Sequence, residues 1–171
     1  MTKYSFMVNS FTTAATADAA ALTTLTYMAL NGGSATQRND ISEVYIGGQA
    51  TSSAPQYMVL ARDSTVVATP TALSAGSAAN GPLDPAAAAL AAPAVGAVTG
   101  GTQPQRSNSA TLSRINLTFN AFGGITRWTA MDPNEYFKLL GNTASNGEAS
   151  LSGFTGTTAG LVGAHIVYET I

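Results

Sequence analysis

"SRINLTFNAFGGITRW", residues 113–128, is the stretch that decides the fold class. Ile115, Leu117, Phe119 and Ala121 alternate with Arg114, Asn116, Thr118 and Asn120. Successive side chains of a strand point to opposite faces, so this period of two puts the first four on an apolar face and the second four on a polar one. A second run, "ITRW", follows Gly123-Gly124. Glycine tolerates the positive φ that tight turns demand, so the spacing predicts a hairpin at that pair.

The same texture recurs along the chain. In "AHIVYETI" (164–171) one face carries Ala164, Ile166 and Tyr168 and the other His165, Val167, Glu169 and Ile171. "TLTYMAL" (24–30), "ISEVYI" (41–46), "YMVLAR" (57–62) and "ITRWTAM" (125–131) are short and rich in strand formers, with "NGGS", "GGQ", "FGG" and "SNG" as turn signals between strands. Trp128 alternates within its run and is expected inside. Many short strands with glycine-rich turns predict an all-β antiparallel β-sandwich or jelly roll. One or two short helices are expected beside it. Thr16 or Asp18 is placed to cap one over 17–23, and Pro85 after Asp84 has the position of a helix start, with an irregular surface loop as the equal alternative there. In "MDPNEYFKLLG" (131–141), Asp132-Pro133 with Glu135 in the first turn and Gly141 as a stop predicts another, burying Tyr136, Phe137, Leu139 and Leu140.

A chain of 171 residues fits one domain with a core of its own. Strand signals fill 1–68 and 112–171, while 69–111 is dominated by Ala, Gly, Pro, Ser and Thr, with Asp84 and Arg106 as its charges. That middle is too long for an ordinary connection, and neither flank is long enough for an independent core. It reads as an insertion or extended arm between two halves of one sandwich spanning 1–171, with 1–11 as a further N-terminal arm.

Charged residues make up 9% of the chain and the net charge is −2, against roughly 25% charged in soluble proteins at large. Neither nucleic acid nor an anionic membrane is an attractive partner for such a surface, and the seven basic residues do not cluster. No apolar run approaches 18 residues and no secretory leader precedes the strands, so a soluble protein made in the cytoplasm is expected. A surface so poor in charge is weakly protected against association, which points to packing against other protein.

The chain has no cysteine, which removes thiolate catalysis, disulfides and Cys-ligated zinc. His165 is the single histidine and sits in a strand pattern with no nucleophile elbow in the sequence. Asp40 with Glu43, and Asp132 with Glu135, are three apart, but no aromatic platforms accompany them as a sugar cleft requires. "RNDISE" lacks the oxygen density of a calcium loop, and "GFTGTTAGLVG" lacks the Lys of a phosphate loop. The expectation is a protein that is not an enzyme and takes no cofactor or metal.

The order "LNGGSATQRNDISEVYIGGQATSSAPQYMVLARDSTV" (30–66), "LTFNAFGGITRW" (117–128) and "GAHIVYETI" (163–171) resembles small structural proteins of tailed bacteriophages that decorate or cement the capsid. The resemblance covers about 25–68 and 112–171. It implies a sandwich or jelly roll on the outside of an icosahedral shell, with the major capsid protein as partner, a homotrimer as the working form and the virion as its location. Aromatic and methionine side chains are the natural contacts of such an interface if they face outward. Tyr4, Phe6 and Phe11 in the N-terminal arm and Tyr27, Met28, Tyr45, Tyr57 and Met58 in the strands are the candidates. Rival readings are another virion component, such as a small jelly-roll capsid subunit or a fibre or spike, and a carbohydrate-binding, adhesin-like sandwich.

Overall fold

The computed structural model describes residues 26–31, 35–65, 83, 86, 94–96, 105–106, 114–141, 147–153 and 162–171. Through them run β1 (Thr26–Asn31), β2 (Asn39–Gln49), β3 (Pro55–Thr65), β4 (Ala94–Gly96), β5 (Gln105–Arg106), β6 (Arg114–Asn120), β7 (Phe122–Thr129), β8 (Phe137–Leu139), β9 (Glu148–Gly153) and β10 (Val162–Thr170). Every pairing between them is antiparallel. No helix occurs among the described residues. The larger sheet has the order β4-β1-β9-β3-β5, with β6 also beside β3. The smaller has the order β10-β2-β7, with β8 also beside β2.

The alternation read from residues 114–121 is what builds the core. Leu117 and Phe119 join Leu30, Met58, Leu60, Ala149 and Leu151 of the larger sheet. They meet Ile41, Val44, Ile46, Phe137 and Leu139 of the smaller one in a single buried cluster. Two antiparallel sheets sharing one core make the chain an all-β sandwich. Ile115 and Trp128 lean on the cluster from its margin, as do Ala164, Ile166 and Tyr168 on the face expected for them. At one end Arg62 of β3 ties the layers together. Its Nε donates to the Lys138 carbonyl at 2.7 Å, and its guanidinium lies 4.3 Å from the Phe137 ring centroid. Burial pushes the Arg62 pKa down from its ordinary value.

The expected hairpin at Gly123-Gly124 does not form. β6 pairs with β3 while β7 pairs with β2, so the two runs lie in different sheets and the chain turns at Ala121. β2 and β3 part in the same way at residues 50–54. Together they form one long two-stranded ribbon folded over a corner. Its ladder runs from Pro55↔Asn120 to Ala61↔Arg114 on one side and from Gln49↔Phe122 to Glu43↔Thr129 on the other. The fold line is stitched by Ala50 N–H to the Ala121 carbonyl and Ala121 N–H to the Ala54 carbonyl, both 2.8 Å.

Asn120 completes the corner. Its Oδ1 accepts from the N–H groups of Ala54 (2.9 Å) and Phe122 (3.0 Å), and its Nδ2 donates to Ser53 Oγ at 2.9 Å. One amide thus holds both arms of the ribbon where neither ladder reaches. Asn120→Ala should destabilise the fold by about 2 kcal/mol, because two backbone donors lose their acceptor. A urea midpoint that falls with an unchanged slope would register this, whereas no shift would mean that solvent already serves the corner.

The pairs β1–β9, β2–β7 and β3–β6 are nested, one inside the next along the chain. β9 also pairs with β3, which closes the larger sheet, and β10 is added to the free side of β2. The larger sheet is buried on both faces along β1, β9 and much of β3: Ala29, Val59, Ala61, Ser150 and Ser152 point away from the core yet are fully buried.

The helix expected over 132–140 is a turn followed by a strand. Its start signals do form a turn. The Asp132 carbonyl accepts Glu135 N–H at 2.9 Å, Asp132 Oδ1 accepts Asn134 N–H at 2.8 Å, and Glu135 Oε2 accepts Met131 N–H at 2.6 Å. Phe137 and Leu139 then alternate into the core opposite Ile41 and Asn39, and Leu140 is left exposed. Pairing with β2 outweighs the local helical preference. The helix expected over 17–23 and the arm 1–11 lie outside the described residues. So does most of 69–111, where β4, β5 and a turn at Ala86 are described.

Candidate docking face

The outward face of the smaller sheet is built row by row by the registers of β10, β2 and β7. Tyr45 stands between His165 on β10 and Arg127 on β7. The His165 ring stacks on Tyr45 with centroids 5.8 Å apart, and the Arg127 guanidinium lies 4.8 Å from the Tyr45 centroid. Glu43 lies in the next row, accepting from the Tyr45 hydroxyl and, at 2.9 Å, from Arg127 Nη2. The Tyr45 hydrogen bond holds the Glu43 carboxyl below the usual carboxylate range, and Arg127 adds to it against partial desolvation. The same hydrogen bond pushes the Tyr45 phenol up.

The face continues toward the ends of β8 and β10. Asp40, nearly fully buried, has Arg38 at 3.4 Å and Lys138 at 3.8 Å. Tyr136 donates to Glu169 at 3.4 Å, and desolvation first and Glu169 second raise its pKa. Each acidic group on this face therefore stands beside a cation or a hydroxyl. The Glu43–Arg127 pair is exposed and adds little stability, and the matched charges leave the face close to electrically neutral.

Apolar side chains stand proud at both ends. Ile125, 79% exposed, lies in the row of Gly47 and Gly163, where bare backbone surrounds it, and Phe122 is exposed nearby in the chain. At the other end Arg38 and exposed Ile171 exchange backbone hydrogen bonds of 2.9 Å, and exposed Leu140 follows directly on β8, whose last pair is Asn39↔Leu139.

The interface candidates scatter. Met58 is a core residue and Met28 packs on the core from its margin, so neither faces outward. Both lie in the buried phase of their strands, with Leu60 and Leu30, and a flexible thioether fills gaps between sheets well. Tyr45 is on the outward face, half-buried by its neighbours, and Tyr57 is half-buried opposite Thr118 on the larger sheet. Tyr27 lies on β1 with its side chain outside the described residues, as are Tyr4, Phe6 and Phe11 altogether. Sequence reasoning missed Ile125, Leu140 and Ile171 as surface residues. The signal for two of them was there: Ile125 and Ile171 are apolar residues in the polar phase of their alternating runs.

Tyr45 offers no open ring for a sugar, since His165 and Arg127 both crowd it. His165 is exposed, with Tyr45 as its cross-strand neighbour. Among the described residues no three His, Asp or Glu side chains gather as metal ligands, and no helix is long and apolar enough to cross a membrane. No family model, curated protein or solved structure matches this chain.

Proposed function

We propose that this chain is a structural protein of a tailed-phage virion that binds the outer surface of the capsid and reinforces contacts between its subunits. The observation that carries the reading is the outward face of the smaller sheet. Its charges are internally matched, and Ile125, Leu140 and Ile171 are exposed on it. Burying an apolar side chain of this size contributes about 1.5–3 kcal/mol, so a few of them make a weak patch that several copies turn into a firm grip. The three nested strand pairs support the jelly-roll form of sandwich that the resemblance implies. The low charge of the whole chain agrees with a life spent against protein, in the host cytoplasm first and on the virion after.

The test uses undecorated shells of a tailed phage, co-sedimented with the purified chain. Wild type is expected to bind and to raise the temperature at which the shells rupture. Ile125→Asp combined with Ile171→Asp should weaken binding at least tenfold while the chain keeps its own melting temperature. Equal binding by that variant would remove the face from the reading, and absence of wild-type binding would remove the reading itself.

A further inference from the structure

We infer that β10 is a self-pairing edge through which two copies of this chain join their smaller sheets into one continuous sheet about a twofold axis. The inference goes beyond capsid binding and stands on the geometry of the edge alone. Arg38 and Ile171 exchange both backbone hydrogen bonds, and the Val167 carbonyl accepts from Ser42 Oγ at 3.3 Å. The odd-numbered residues of β10 thus turn their backbone groups toward β2. Antiparallel ladders alternate, so the N–H and C=O groups of Ala164 and Ile166 point the other way, off the sheet. Among the described residues β10 pairs with β2 alone.

The side chains beside that edge are also incompletely covered. Val44 and Ile46 on β2 are at most 1% exposed, while Ile166 and Ala164, their partners on β10, are only half-buried on the same core face. An added strand would cover them. β10 carries neither of the usual protections of an open edge, since it has no proline or lysine and its single charge, Glu169, is next to its last residue.

The occupant follows from the other edges and from β10 itself. β7, at the opposite edge of the smaller sheet, is drawn toward β6 by Thr126 Oγ1, which donates to the Thr118 carbonyl at 2.6 Å. A head-to-tail ring joining β10 to β7 is therefore disfavoured, and with it this route to the expected trimer. A second β10 fits with its axis at His165. Ala164 then lies opposite Ile166 of the second copy, small against large, and Gly163 opposite Val167. The two inward rows continue across the junction, and no like charges oppose each other. Paired edges of this kind are isologous and close at two copies.

The axis places His165 opposite itself, which gives the test. Light scattering on the wild type should give the mass of two 17.3 kDa chains. Exchange of the Ala164 and Ile166 amides should slow as protein concentration rises. H165K and H165E should each run as one chain, because either places like charges face to face, and mixing them should restore a two-chain species. His165 is exposed, so neither substitution threatens the fold. A wild type of one or three chains, or single variants that keep the wild-type mass, would overturn the inference. Shell binding is read separately, so it survives or fails independently.

Discussion

Gly124→Ala will lower the stability of the folded chain by about 3 kcal/mol or more, and Gly48→Ala will come close to it. A Cβ on Gly124 would lie 2.3 Å from the Asn120 carbonyl oxygen and 2.9 Å from its nitrogen. One on Gly48 would lie 2.5 Å from the Ala121 Cα. These obstacles are backbone atoms at the fold line of the ribbon, so no side chain can rotate aside. Two other glycines serve as internal controls. Gly123 has a φ of 75° with open space around it, so alanine there meets only the left-handed strain of about 1–2 kcal/mol. Gly163 has open space and no positive φ, and alanine there should be neutral or slightly stabilising. Urea denaturation of the four variants should rank them in that order. Equal midpoints for Gly124→Ala and Gly163→Ala would mean that the arms do not touch at the corner.

Leu60→Ala should cost about 3–5 kcal/mol, a large part of the roughly 5–15 kcal/mol that holds a typical domain folded. Leu60 is fully buried in β3, between Ile115 on β6 and Leu151 on β9, and its neighbours belong to two ladders at once. A void there cannot be filled by one strand moving without disturbing the other pairing. Thermal melting should show the loss directly, with Ile125→Ala on the exposed face as a control expected within about 0.5 kcal/mol of wild type. If Leu60→Ala cost no more than the control, Leu60 would not be at the centre of the core.

The strands that alternate cleanly were legible in the sequence. Residues 114–121 and 164–171 show their inward and outward faces because each has one apolar side and one polar side. β9 was not legible. "EASLSG" is buried on both faces by small residues, so Ala149 and Leu151 do not contrast with Ser150 and Ser152 as an amphipathic strand would. The glycine pair at 123–124 was recognised as special but for the wrong reason. Turn chemistry and close crossing of two chain segments favour the same residue, and which one applies depends on strands distant in sequence. The helix expected at 132–140 failed similarly, because Asp132 and Glu135 satisfy a first turn whether or not a helix follows. The candidate face was half legible: Tyr45 is among the expected contacts, while Ile125 and Ile171, apolar residues in the polar phases of their runs, are not. What the alternation of a strand cannot disclose is which sheet it joins.

The nested strand pairs also govern how the chain finds its fold. β3 and β6 are separated by residues 66–113, and the entropy of closing that loop grows only with the logarithm of its length, about 0.6 kcal/mol for each doubling. Once they have met, β2 and β7 need only close across residues 50–54 and Ala121, and β1 and β9 follow across what remains. Each closure shortens the next search, which predicts assembly from the innermost pair outward like a zip. The long middle of the chain can therefore change in length between related sequences with little effect on the speed of folding, while an insertion of the same size at the corner would separate every later step from the first.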